Sequence, residues 1–377
     1  MSSKAENYTM RVFYLLAIVF VVDGHMSMGH MFEMNGLFRY YSFHLMMFAF
    51  GSGYFFKLYG KPLSDLLHRA KKLLIPLYFW NLVYGVGAAL LRRLGGFELG
   101  EPLSAYTLLL APLADGEHFV WNLGSWFIFP FFCAQVFYAL VRRLSSLWHE
   151  NEWMTFLLCL IPGCVAVQLC YTGRQDILPI WMLRPMILLP GFAGGTLYRR
   201  VLERRDHLPT VPYLIGVVIL RALLCTRYEN LAYLLSDCSY FVCDAFGVYA
   251  GAALAIAFYL RISRLLAPYI GKSRLALAIS RNTFDVMMHH YMGFFALNCF
   301  FLIVHILGLG AADFSVHIFR TRSNYLYAPD GRAEWSVLYL LCGVTLPLLI
   351  GHTARAVKTR LQACLSRRRK PESGSAR

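Results

Sequence analysis

Between Arg11 and Lys57 the chain carries Arg11, Asp23, His25, Arg39 and His44 inside or beside two apolar runs. Ionisable groups are costly in hydrocarbon, so by default they mark a working site. Histidine has an unperturbed pKa of about 6.5, which suits His25 and His44 to act as general bases that take the proton of a hydroxyl. A lone histidine in such a run is more simply a hydrogen-bonded packing residue. Several at comparable depth shift the balance towards chemistry, and His289 and His290 add a second pair. One of that pair can face the bundle interior while the other packs against a neighbour.

Arg69, Lys71 and Lys72 form a basic cluster suited to phosphates, although cations at helix ends also serve as topology signals. His25, Met26, Met28, His30, Met31 and Met34 offer imidazole and thioether groups of the kind Cu(I) takes. A packed Met-rich helix end explains them more simply, so no metal is expected. There is no Walker loop, GxSxG or HExxH.

These side chains need helices to hold them. The chain has 377 residues, is 58% hydrophobic and has a mean hydropathy of +0.50. Soluble domains average roughly 45–50% apolar, and the excess here lies in blocks long enough to cross a bilayer. The expected fold is an all-α polytopic transmembrane bundle of about ten spans, at 11–31, 37–57, 73–93, 121–141, 153–171, 181–200, 210–226, 240–260, 282–308 and 335–356. The seventh, which contains Arg221, and the short fifth are the weakest. Residues 1–357 form one membrane domain and 358–377 a basic tail. The first apolar run has no cleavage site after it and reads as an uncleaved helix.

Connections after even-numbered spans are rich in Lys and Arg, from Lys57–Lys72 to Arg261–Arg281 and the tail. Those after odd-numbered spans are mixed or acidic, with Glu33, Glu98, Glu101, Asp115, Glu117 and Asp176. The positive-inside rule then puts both termini in the cytoplasm. It also accounts for the formal charge of +15 without nucleic acid. Two outer connections are long: 94–120, with an expected interfacial helix, and 309–334, placed to cover a substrate groove. The ten cysteines have no paired spacing, though Cys225 and Cys238 flank one loop.

Only eleven apolar residues, Val12 to Val22, precede Asp23. The first helix is therefore expected to run on through His25 towards Met31. Arg11 then shares a face with His25, fourteen residues and about 21 Å away, while Asp23 points to the opposite side. Gly51 and Gly53, and the pairs Gly191/Gly195 and Gly247/Gly251, read as close helix contacts.

Five stretches, in order, resemble the type-three family of integral-membrane O-acyltransferases. FHLMMFAFGSGYFFK (43–57) is similar to its second-helix signature, nearest to the fucose 4-O-acetylase-like branch with FHMPLFFFLSGYFF. VVDGH (21–25) resembles VVLGH, SWFIFPFFCAQ (125–135) a WFL-type helix, LLPGFAGGTLYRR (188–200) an F-x-x-G-x-x-Y/L-x-K/R helix end, and SRNTFDVMMHHY (280–291) a late GKNSLPIYLLH motif. The resemblance implies transfer of an acyl group, usually acetyl, from cytoplasmic acyl-CoA to a hydroxyl of a cell-envelope or exported carbohydrate, in a bacterial inner membrane.

It makes His25 the catalytic base, with His44 beside it. Arg11, Arg39, His290, Asn282 and Trp126 support them, and Arg69, Lys71 and Lys72 bind the acyl-CoA. No cofactor is bound; acyl-CoA is a co-substrate. The implied partners are that donor, a carbohydrate or glycolipid acceptor and the bilayer. The sequence departs from the family at Tyr14, where the histidine's usual Arg or Lys partner stands, at Met46 in place of a proline, and at Asp23 in place of an apolar residue. The competing reading is a transporter or flippase whose polar groups line a translocation path, against which stands the lack of an internal repeat. A partner-binding scaffold is the third.

Overall fold

The computed structural model describes residues 6–26, 30–98, 100–114, 119–147, 151–322 and 325–368. It is built from α1 (Tyr8–Gly24), α2 (His44–Tyr54), α3 (Pro62–Gly95), α4 (Ile128–Ser145), α5 (Glu152–Tyr171), α6 (Ile180–Leu197), α7 (Thr210–Arg227), α8 (Ala245–Ile270), α9 (Arg274–Arg281), α10 (Thr283–Ile306), α11 (Val316–Thr321) and α12 (Ser336–Arg368). Among the described residues there is no strand, only one isolated bridge between Tyr233 and Phe241. The protein is an all-α polytopic bundle, and eight of its described helical segments are long and apolar enough to cross a membrane.

The first two expected spans are corrected. α1 stops at Gly24 instead of continuing to Met31, and α2 has 11 residues, too short to cross. At about 1.5 Å per residue α2 spans roughly half of a 30 Å hydrocarbon core. It does not need to span it. Every α2 residue except Ser52 is buried, so the short helix is enclosed by the other elements of the bundle, where a helix that stops within the membrane is tolerated.

Asp23 ends the first helix. Its carboxylate accepts the Met31 N–H at 2.9 Å and the Tyr40 hydroxyl, which folds 30–40 back over the helix end. Phe20 stacks on Tyr40, and Tyr259 of α8 packs on Phe20, Phe38 and Phe43. Such ring pairs are worth about 0.5–1.5 kcal/mol each beyond their buried area.

Small residues bring α2 onto α6. A Cβ at Gly53 would stand 1.9 Å from the Phe192 carbonyl oxygen, and one at Gly195 would stand 1.9 Å from that of Phe50. Gly191 meets Met46 and Ala49, while Gly51 meets the Tyr14 ring. Gly251 of α8 faces α7 as expected, and makes room there for the Arg221 guanidinium.

The ends of the helices sort by charge. Arg281 pairs with Glu6, Arg355 with Asp285, and both Arg142 and Arg200 with Glu152. Arg143 reaches the Gly60 carbonyl, and Asn7 donates to the Tyr54 hydroxyl. These contacts collect the basic connections and the amino end of α1 on one face, as alternation of charge requires. On the opposite, outer face the 94–120 connection turns through Tyr106–Leu110, with Leu109 and Leu110 exposed. Asp115 and Glu117 lie outside the described residues, as do Met28, Arg369 and Lys370. Residues 309–334 contain α11 and a ring cluster of Phe314, Phe319, Tyr325 and Tyr327.

Candidate active site

A cavity of about 660 Å³ opens in the outer half of the bundle, lined among others by His25, His30, Tyr41, His44, Trp126, Tyr291 and the segment Tyr233–Asp237. His25 caps α1 and is half-buried. Its Nδ1 donates to the Val21 carbonyl at 2.8 Å. A carbonyl can only accept, so Nδ1 carries the proton and Nε2 is left as the base of the neutral ring. His44 donates from Nδ1 to the Tyr40 carbonyl, and His290 from Nδ1 to the Met287 and Val286 carbonyls at 3.0 and 3.1 Å. All three rings are thus held in the tautomer that leaves Nε2 free to accept.

His290 stacks on His25 with centroids 4.9 Å apart, and Tyr291 packs on both rings. The His290 Nε2 is buried with no hydrogen-bond partner among the described residues. Gly124, in the 3-10 turn Val120–Phe127 that precedes α4, permits this: a Cβ there would stand 2.4 Å from the His290 Cε1. His289 turns away and takes Tyr84 and Trp80 of α3 as neighbours. The adjacent histidines therefore divide as expected, one inward and one packed.

Trp126 also lines the cavity, with the buried Arg184 guanidinium 5.5 Å above its ring. Arg184 donates to the Ser236 carbonyl and the Tyr233 N–H donates to the Tyr41 carbonyl, so the cavity wall at 233–237 is tied to both α6 and the loop before α2. A narrow cleft beside the cavity shares His25 and Tyr291 with it and is closed by Phe319, Arg322 and Tyr325. This is where the 309–334 connection covers the site.

Other expected site residues lie elsewhere. Arg11 sits in the first turn of α1 on the basic face, pairs with Glu6 at 2.8 Å and donates to the Gly271 carbonyl. The helix length that separates it from His25 prevents contact. Arg39 is exposed and is not part of the cavity wall. Asn282 joins α9 to α10 and donates to the Ala278 carbonyl at 2.6 Å. Asp23 serves the loop and not His25. Tyr41, Tyr291, Arg184 and Gly124 are site residues that sequence reasoning missed. Arg184 had a signal, since an arginine inside an apolar span is itself a functional flag.

On the basic face a second cavity of about 180 Å³ is lined by Tyr14, Ser52, Phe55, Phe56, Lys57, Tyr59, His68, Arg69, Lys72, Gln135 and Phe192. Arg69 is buried and spent on Asp65 at 3.0 Å, Gln135 and the Lys57 carbonyl, between the Phe56 and Tyr59 rings. It builds the wall, whereas Lys72 is exposed at the rim and Lys71 is exposed outside it. Three rings link the two cavities: the centroids of Tyr14 and Phe48 are 6.2 Å apart, and those of Phe48 and Phe127 6.3 Å. Tyr14 lines the inner cavity and Phe127 the outer one.

A family model described as an acyltransferase domain matches residues 12–354. No curated protein and no solved structure matches the chain.

Proposed function

The chain belongs to the type-three family of membrane O-acyltransferases, a multi-pass membrane enzyme that transfers acyl groups, and from that premise we propose that it moves an acetyl group from cytoplasmic acyl-CoA to a hydroxyl of a cell-envelope or exported carbohydrate. The observation that carries this reading is His25: half-buried, on the wall of the outer cavity, with Nδ1–H held by the Val21 carbonyl and Nε2 left to accept. The acceptor hydroxyl gives its proton to Nε2 as its oxygen attacks the thioester carbonyl. The tetrahedral oxyanion collapses, the C–S bond breaks, and the departing thiolate takes the proton back from the imidazolium. His290 holds the His25 ring from behind, and His44 supplies a second acceptor for the hydroxyls of the incoming group.

Trp126 and Tyr291 offer aromatic faces to a sugar ring, and Asp237 a carboxylate to its hydroxyls. The donor is placed on the basic side, where Lys72 and Lys57 stand at the inner cavity and meet the nucleotide phosphates. The thioester arm then has to pass the ring contact of Tyr14, Phe48 and Phe127. The similarity of 43–57 to the fucose 4-O-acetylase-like branch favours a hexose acceptor in a bacterial inner membrane.

The test is transfer of labelled acetyl from acetyl-CoA in membranes carrying the protein, with the labelled glycan or lipid identified. His25→Ala is expected to insert normally and to lose about 10²–10⁴ of the rate, the usual contribution of a positioned base. Full activity in that variant overturns the assignment.

A further inference from the structure

A third cavity, of about 460 Å³, lies between α5, α6 and α8 and shares no lining residue with the two described above. Its upper end is pinched shut. A Cβ at Gly163 of α5 would stand 2.5 Å from the Tyr249 hydroxyl of α8 and 2.7 Å from Cγ of Pro190 in α6, and that hydroxyl donates to the Ile187 carbonyl at 3.2 Å. From the pinch the lining runs along α8 to Leu260 and ends at Arg205 and Asp206, in the basic connection after α6. The positive-inside rule assigns that end to the cytoplasm. The groove exists because Gly194, Ala252, Ala253 and Ala257 have side chains too short to fill it. A Cβ at Gly194 would meet nothing nearer than a Phe156 ring atom at 3.7 Å.

Length and charge define what fits. From Tyr249 to Leu260 the helix rises about 16 Å, close to half of the 30 Å hydrocarbon core, which is the depth of one leaflet. Most of the wall is apolar and offers water no partners, and an empty groove would forfeit dispersion contacts along its whole length. Ala253 on the lining is exposed, so hydrocarbon can enter from the side. The lower end is cationic. Asp206 pairs with Arg261 and, at 2.8 Å, with Arg264, and accepts the Tyr198 hydroxyl at 2.8 Å. Its charge is therefore already spent. Arg205 beside it is exposed and makes no side-chain hydrogen bond or ion pair among the described residues. A slot one leaflet deep with an unspent cation at its interfacial end is complementary to a lipid phosphate. A zwitterionic headgroup would bring an ammonium to the same arginines, which disfavours it against an anionic one.

We propose that this groove holds one anionic phospholipid of the cytoplasmic leaflet, with an acyl tail between α5, α6 and α8 and its phosphate against Arg205. The tail supplies the packing that the glycine and alanines leave open, so the lipid belongs to the bundle and not to the surrounding bilayer. Its recognition requires only that the bundle stand in a membrane, and is independent of which acyl group or acceptor the outer cavity takes.

The test uses the full-length protein, reconstituted in vesicles of phosphatidylethanolamine and phosphatidylglycerol in equal amounts. The protein is extracted in mild detergent, freed of loosely held lipid by size-exclusion chromatography and weighed by native mass spectrometry. The expected result is one retained lipid per chain, with phosphatidylglycerol several-fold over phosphatidylethanolamine. Arg205→Ala, at an exposed position, is expected to abolish that preference. Ala257→Phe fills the groove and is expected to remove the retained lipid of both kinds, with its elution volume reporting whether it has folded. If it does not fold, Arg205→Ala still decides. A wild-type protein that retains no lipid, or retains the two in the proportion of the vesicle, overturns the proposal. An undiminished preference in Arg205→Ala overturns the phosphate site, and wild-type retention by folded Ala257→Phe overturns the placement in this groove.

Discussion

His25, His44 and His290 each surrender Nδ1–H to a backbone carbonyl of their own chain neighbourhood, and this sets what each can do. A base that must accept a proton from an incoming hydroxyl is best held in one tautomer before the substrate arrives. The arrangement depends on Gly124, whose missing side chain leaves room for the His290 ring. Gly124→Ala pushes a methyl group into Cε1 of His290 and the Met287 carbonyl. Overpacking of this kind costs about 1–3 kcal/mol, and the displaced ring no longer backs His25. The expected outcome is a protein that still inserts, melts lower in detergent and loses kcat more than it gains KM, read by labelled acetyl transfer. An unchanged kcat removes His290 from the support of His25.

At the scale of elements, the loop between α1 and α2 is held at two points by buried charge. Asp23 takes the Met31 N–H and the Tyr40 hydroxyl. Arg221 of α7 donates to the Leu37 carbonyl at 2.9 Å, the Gly251 carbonyl at 2.6 Å and the Ser42 hydroxyl at 2.7 Å, under the Phe38 ring. A buried group stranded without its partner costs about 1–3 kcal/mol. Asp23→Ala and Arg221→Met are each expected to destabilise the solubilised protein and to expose 30–42 to limited proteolysis. His25 and His44 flank that loop, so acyl transfer falls with it. A variant that melts normally and resists protease as the parent does would show that the loop is held some other way. α7 was among the weakest spans to place because Arg221 interrupts its apolar run. The structure shows why the arginine is there: it is a clamp whose partners lie some 180 residues earlier in the chain.

At the scale of the molecule, two cavities face opposite sides and three rings link them. The inner cavity distinguishes two cations that the sequence grouped together. Lys72→Ala is expected to raise KM for acetyl-CoA several-fold with kcat unchanged, the signature of lost uniform binding, and added salt should narrow the difference. Arg69→Ala instead removes the nearer of the two arginines paired with the buried Asp65 and is expected to lower the melting temperature. If the two variants behave alike, the distinction between rim and wall is wrong.

Bundle class and the gathering of the basic connections on one face were legible along the chain. Span length, apolar runs and Lys/Arg asymmetry are local quantities, and the bilayer imposes them on each segment separately. The paired fate of His289 and His290 was also within reach, since adjacent helix residues point about 100° apart. Where α1 ends, why α2 is short, which of Arg11, Arg39 and Asn282 stand far from His25, and how Arg184 ties down the cavity wall were decided only in three dimensions. Each depends on a partner supplied by another part of the chain: Tyr40 for Asp23, Gly271 for Arg11, Ser236 for Arg184, Gly124 for His290. A buried polar group takes whichever partner the packing brings, and packing joins residues that the order of the chain keeps apart.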